Sequence, residues 1–387
     1  MSRIAAVEAV IVNVSAKTNW TFVALTTDEG ITGWGECSLN GWETLLSAQI
    51  ARVASDVVGR PLTAPGTALR YLPHSPGGLI AHATRSALEQ ACTDARALTQ
   101  GVPIHVLLGA AVRGSVPAYA NINRGVPERS PQGFATAARR AIATGYAAVK
   151  LAPFDGVIAE DAAKTPIGQR IQEGIDRIFA VRDAIGPDVP LLVDCHWRFD
   201  EARAEAMIRD VRLASPYWIE CPISEHPGQF AAIARLREVA HRQGIKLAGG
   251  EMITGVDDAR AMCAAGLYDV LMPDIKYAGG YAGILAIAGV CAEHDVMVAP
   301  HNPTGPVAHL ASIHACAVAP NVLWLEHQWG ESPLFESLVG GTPAPLMDGA
   351  LIVPAAAGLG AALDRSIAAK HPYRALPQGA NLDERLG

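Results

Sequence analysis

Apolar and polar residues alternate along residues 3–14, and this period of two predicts a β-strand. The run WTFVALTTDEGITGWGE at 20–36 sets Asp28-Glu29-Gly30 between two apolar stretches, which predicts an antiparallel hairpin. Helical spacing follows over 43–59 and more strongly over 80–99. There LIAHATRSALEQACTDARALTQ runs into Gly101, a residue suited to the left-handed end of a helix. Residues 1–115 therefore read as an α+β domain.

Beyond residue 115 the texture changes. Short apolar runs recur at VPAYANIN (116–123), AAVKLAP (147–153), PLLVDCH (190–196), YWIECPI (217–223), KLAGGEM (246–252), DVLMPDI (269–275), VMVAPHN (296–302) and VLWLEHQ (322–328). Helix-like segments such as GFATAARRAIATGY and FAAIARLREVAHRQG lie between them. Strands alternating with helices predict parallel βα units, and eight units over 116–354 predict a closed (β/α)8 TIM barrel. An open doubly wound sheet would want a glycine-rich phosphate loop after its first strand, and no GxGxxG follows residue 123. Residues 355–387 leave the repeat and are expected to return to the N-terminal domain. The fold class is thus α/β, a modified (β/α)8 barrel under an α+β cap.

A barrel keeps its chemistry at the C-terminal ends of its strands, and here those ends are polar. Asp194, Glu220 and Glu251 close the third, fourth and fifth runs, 26 and 31 residues apart. Three convergent carboxylates repel one another unless a cation neutralises them, and an all-oxygen set without cysteine favours Mg²⁺ over zinc. Asp274 and His301 close the sixth and seventh runs at matching depth, which suits a dyad for general acid–base work. His196 follows Asp194 by two residues, so strand alternation is expected to turn both to one face. Lys150 in the second run has three readings: a Schiff-base lysine, a contact for a substrate carboxylate, or a group that neutralises acidic neighbours. Glu326 in the eighth bonds substrate oxygens or is structural.

Composition narrows the partners. Half of the 387 residues are hydrophobic and 18% are charged, which excludes a disordered chain. With 31 basic against 38 acidic residues and no basic block, a nucleic-acid surface is not expected. No apolar run reaches the ~18 residues that would span a bilayer, so no membrane partner is expected. The seven cysteines form no CxxC pair, and the opening segment reads as a strand rather than a cleavable signal. Both features lead to the expectation of reduced thiols in a cytoplasmic protein.

The segments RSALEQACTDARALTQGVPIHVLLG, IECPI, LAGGE, LMPDIKYAGG and APHNPTGPVAHLAS, in this order and spacing, resemble the mandelate racemase branch of the enolase superfamily. The resemblance covers nearly the whole chain. It implies that Asp194, Glu220 and Glu251 bind Mg²⁺, that His301 and Asp274 form a catalytic dyad, and that Glu326 bonds the enolate side of the substrate. The shared step it implies is removal of the proton α to a carboxylate. The racemase pattern has Lys-x-Lys on the second strand, whereas here the segment reads Lys150-Leu151-Ala152 and lacks the second lysine. The Asp194-x-His196 arrangement instead resembles acid-sugar dehydratases of the galactonate and mannonate kind.

That narrower resemblance implies a sugar-acid substrate, an aldonate or similar, and a 2-keto-3-deoxy acid product. It makes His196 the base and His301 the acid, with the reverse assignment open. The alternative is a racemase, epimerase or cycloisomerase working through the same enediolate. Trp20, Asn123, Arg198 and Lys150 are the expected substrate contacts, Trp20 from a mobile loop over 17–20. The family's habits imply a homo-oligomer, a dimer or an octamer.

Overall fold

The computed structural model describes residues 2–62, 78–157 and 167–376. Strands β1 (Ile4–Asn13), β2 (Asn19–Thr27) and β3 (Thr32–Glu36) form an antiparallel sheet. The turn between β2 and β3 is made at Gly30, whose φ of 82° favours glycine. Helices α1 (Glu43–Val57) and α2 (Leu79–Gln100) pack against this sheet, and α2 stops at Gly101 in the left-handed region. The approach of α2 to β3 is close enough to need glycines. A Cβ at Gly35 would lie 2.0 Å from the carbonyl oxygen of Ala87.

After the short α3 (Ile104–Leu108), parallel strands pair in chain order. They are β4 (Ser115–Asn121), β5 (Ala148–Leu151), β6 (Leu191–Asp194), β7 (Trp218–Glu220), β8 (Lys246–Gly249), β9 (Val270–Leu271) and β10 (Met297–Val298). Residues 321–328 complete the ring. Leu323 N donates to Val298 O at 2.8 Å, and β11 (Leu325–Gln328) pairs with β4. The outer helices are α4 (Pro131–Thr144), α5 (Ile167–Ile185), α6 (Glu201–Asp210), α7 (Phe230–Arg242), α8 (Val256–Ala264), α9 (Gly280–Glu293) and α10 (Pro306–Val318). Their ends follow local chemistry: Ser130 caps α4 ahead of Pro131, and Asp200 caps α6.

Strand alternation sorts the barrel interior into two layers. Tyr119, Ala148, Leu192, Trp218, Ala248, Val270, Met272 and Ala299 form an apolar cluster. Two residues further along the same strands stand Asn121, Lys150, Asp194, Glu220, Asp274 and His301. Residues of the opposite parity, such as Val149, Val193, Ile219 and Leu247, join the larger core between strands and helices. The apolar layer is thus a dry floor, and the polar layer stands on it at the mouth.

Two buried carboxylates hold the cap over that mouth by accepting from barrel helix N-termini. Glu36 of β3 accepts from Gly305 N at 2.8 Å and Ala308 N at 2.9 Å at the start of α10. Glu89 of α2 accepts from Tyr281 N at 2.9 Å and Ala282 N at 3.3 Å at the start of α9. Residues 371–374 also reach the cap, where Asn13 N donates to His371 O at 2.9 Å and Asn19 Nδ2 to Arg374 O at 2.9 Å.

Candidate active site

Between the cap and the mouth lies a cavity of about 170 Å³. Thr18, Trp20, Asn40 and Trp42 line it from the cap, and Asn123, Asp194, His196, Glu251, Lys276 and His301 from the barrel. This is room for a small molecule.

Asp194, Glu220 and Glu251 each bring one carboxylate oxygen to within 4.8 Å of the others, and all three side chains are buried. Glu220 accepts from Lys150 Nζ at 2.7 Å and from Trp218 Nε1 at 3.1 Å. Burial, then the charge of Asp194, pushes the carboxyls of Glu220 and Glu251 well above the ordinary range. Burial works against ionisation of Asp194 too, but His196 and then Lys150 outweigh it and hold this carboxyl low. The three acids are therefore closer together and drier than their charges favour, and every donor is a hard oxygen. That donor set fits a divalent cation.

Lys150 is placed differently from the expected substrate contact. It is absent from the cavity wall and 1% exposed, with Glu220 at 2.7 Å, Glu326 at 3.0 Å and Asp194 at 3.8 Å. It balances charge beneath the triad. Glu326 also lies below the wall: Asn121 Nδ2 donates to its Oε1 at 2.6 Å and Asn302 N to its Oε2 at 2.9 Å. Burial opposes ionisation of Glu326, but Lys150 and His301 prevail and hold its carboxyl below the usual range.

His301 Nδ1 and Asp274 Oδ2 are 2.9 Å apart, and His301 Nε2 lies 3.5 Å from Glu251. Burial lowers the imidazole's affinity for a proton, against the pull of Asp274. His196 reaches the cavity by a route that alternation does not describe, because β6 ends at Asp194. His196 and Trp197 both adopt left-handed backbone conformations, with φ of 47° and 56°. This curl is held by His196 N donating to Asp194 Oδ1 at 2.9 Å and Trp197 N to Cys221 O at 2.7 Å. It sets His196 Nε2 2.9 Å from Asp194 Oδ2.

Trp20 lines the cavity from β2 itself, 1% exposed, rather than from a mobile loop; its edge packs on Phe335. Its indole Nε1 and the Oδ1 of Asn123 are buried without a hydrogen-bond partner. Arg198 is half-buried and stands outside the cavity wall. Lys276 lies in the LMPDIKYAGG segment but is not among the expected site residues. Its Nζ nevertheless lies 2.8 Å from Asp274 Oδ2, and it lines the cavity.

Elsewhere, all seven cysteines are free and buried. No described helix is long and apolar enough to cross a membrane.

Known proteins resemble this chain over most of its length. Residues 5–109 match the family model described as mandelate racemase / muconate lactonizing enzyme, N-terminal domain. Residues 133–367 match the model described as enolase C-terminal domain-like. A D-galactonate dehydratase of Xanthomonas euvesicatoria pv. vesicatoria is 26% identical over 361 residues, 91% of this chain and 91% of that protein. A D-gluconate dehydratase of Thermoproteus tenax is 30% identical over 76% of this chain and 56% of that protein. Among solved structures, a mandelate racemase/muconate lactonizing enzyme from Sulfitobacter sp. superposes with a TM-score of 0.86 at 28% identity, covering 97% of this chain and 96% of that one.

Proposed function

The chain belongs to the mandelate racemase/muconate lactonizing enzyme family of the enolase superfamily, and from that membership we propose that it dehydrates a sugar acid, an aldonate or similar, with Mg²⁺ as cofactor. The observation that carries this reading is the pair of imidazoles, His196 and His301, that line one cavity together with Asp194 and Glu251. The dehydratases among its relatives support the same reading.

Asp194, Glu220 and Glu251 would hold the cation, which when bound supplies positive charge toward a substrate carboxylate and the dianion formed from it. The chain's own groups do the rest. His196 takes the proton from the carbon α to the carboxylate. His301, oriented by Asp274 through Nδ1, gives a proton from Nε2 to the departing β-hydroxyl. The Cβ–O bond breaks, water leaves, and the enol product becomes a 2-keto-3-deoxy acid. Lys150 and Glu326 keep the charge beneath the site balanced. Trp20 and Asn123 line the cavity, and an aromatic face and an amide suit a polyol. The substrate is therefore a small molecule seated between cap and barrel.

Two imidazoles in one cavity also suit proton exchange without loss of water, as in a racemase or epimerase. Incubation with a library of aldonic and aldaric acids, with and without Mg²⁺, and detection of 2-keto acids with a carbonyl reagent tests the proposal. A Mg²⁺-dependent keto acid supports it. A change of configuration without keto acid replaces it with the exchange reading.

A further inference from the structure

We propose that Lys276 is a further catalytic residue of this site, one that donates a hydrogen bond to the departing hydroxyl of the substrate; this rests on the dehydratase reading above. Lys276 and His301 meet on a single oxygen. Asp274 Oδ2 lies 2.8 Å from Lys276 Nζ and 2.9 Å from His301 Nδ1, while Asp274 Oδ1 accepts from Lys276 N at 2.8 Å. The unit is thus His301–Asp274–Lys276, and two of its members, His301 and Lys276, line the cavity.

Burying an ammonium is costly unless it is paired, and Lys276 is only 2% exposed. Among the described residues Asp274 is its one ion-pair partner, and the face of Tyr277 lies 5.0 Å from Nζ to ring centroid. The nearby carboxylate of Glu36 is already occupied by Ser38 Oγ at 2.6 Å and by the α10 amides. An ammonium has three donors, so Nζ keeps donors for a molecule in the cavity. A lysine needed only to neutralise Asp274 would have no reason to reach the cavity wall.

Its place beside His301 selects the atom it serves. When the α-proton passes to His196 and the Cβ–O bond breaks, negative charge gathers on the leaving oxygen until His301 supplies its proton. Lys276 Nζ donates to that oxygen without giving up its own proton. A positioned cation at developing charge in a dry site is a large contributor to rate.

The test separates the two halves of the reaction. On the acid that wild type dehydrates, Lys276→Met is assayed in D₂O for keto acid and for deuterium at Cα of recovered substrate. Dehydration is expected to fall about 100-fold or more while Cα exchange persists, so the ratio of exchange to elimination rises. An unchanged ratio, whether both rates fall together or neither does, overturns the proposal. Should that variant fail to fold, Lys276→Ala assayed with added ethylammonium decides the matter: restored dehydration supports the role, and no restoration overturns it. A wild-type protein that dehydrates no acid overturns the dehydratase reading itself, and is thereby distinguished from a failure of Lys276 alone.

Discussion

Lys150 Nζ lies 2.7 Å from Glu220 Oε1, inside the barrel and out of reach of solvent. Both residues belong to the polar layer that stands on the apolar floor. Burial alone would lower the lysine's affinity for its proton, but Glu220 and Glu326 outweigh it and keep Nζ charged. Lys150→Met leaves Glu220 and Glu326 buried without their cation. Loss of one partner of a buried pair typically costs about 3–5 kcal/mol. The variant should melt at a lower temperature than wild type, and added Mg²⁺ should recover more of its stability than it adds to wild type. Calorimetry with and without Mg²⁺ checks this.

Glu220→Gln removes one charge from the triad while leaving an oxygen in place. Mg²⁺ affinity should fall, and activity with it, because two carboxylates and an amide neutralise less of the cation's charge. Isothermal titration with Mg²⁺ reads the first effect directly. Unchanged affinity would remove Glu220 from the cation site.

His301→Asn keeps the cavity polar but removes the group assigned to protonate the leaving hydroxyl. Turnover should fall by about 10²- to 10⁴-fold, with Mg²⁺ affinity close to that of wild type. Full activity in this variant would sink the assignment of the dyad.

Glu89 links stability to pH. Burial pushes its carboxyl up to about 7 against the amides of Tyr281 and Ala282 that it accepts from, whereas in the unfolded chain it titrates near 4.5. Between those values the folded state holds the proton more tightly, so folding is favoured at low pH. This contribution is full below about 4.5 and declines as pH rises through 7, by an amount on the order of 3 kcal/mol. Buried histidines oppose this trend in the whole protein: His327 is pushed down to about 4 by burial and loses stability as pH falls from about 6.5 to 4. The comparison is therefore made against Glu89→Gln. The melting temperature of the variant relative to wild type should rise from pH 4.5 to 7, and a flat difference would contradict the account.

Much of the fold can be read along the chain because the barrel repeats one local pattern. Most of the apolar runs alternate, so the polar residue that closes them falls on the inner face above the apolar floor; Leu192 and Asp194 or Trp218 and Glu220 show the rule. Glu251, by contrast, follows the floor residue Ala248 by three and reaches the triad past Gly250, whose φ is 86°. What escaped the pattern has no period. His196 reaches the cavity through two consecutive left-handed residues, a conformation that ordinary residues adopt only when surrounding bonds impose it. Trp20 stands in β2, paired with Val12 of β1, and not in a loop, and it packs on Phe335 from a segment more than three hundred residues away. Lys276 was hidden because Asp274 already had a partner in His301, and one carboxylate oxygen serving two side chains leaves no mark in spacing. The clamp of Glu36 on the start of α10 is equally non-local, joining positions 269 residues apart.

The dehydration proposed for this cavity takes the proton α to the carboxylate of a sugar acid and then releases water. Mass spectrometry of the acid library, incubated with wild-type protein and Mg²⁺ in D₂O, tests it most directly. At least one acid should lose one water, form a keto acid, and do so only while Mg²⁺ is present. Deuterium appearing at Cα with no water lost from any acid would contradict it, and would identify the site as one that exchanges protons without elimination.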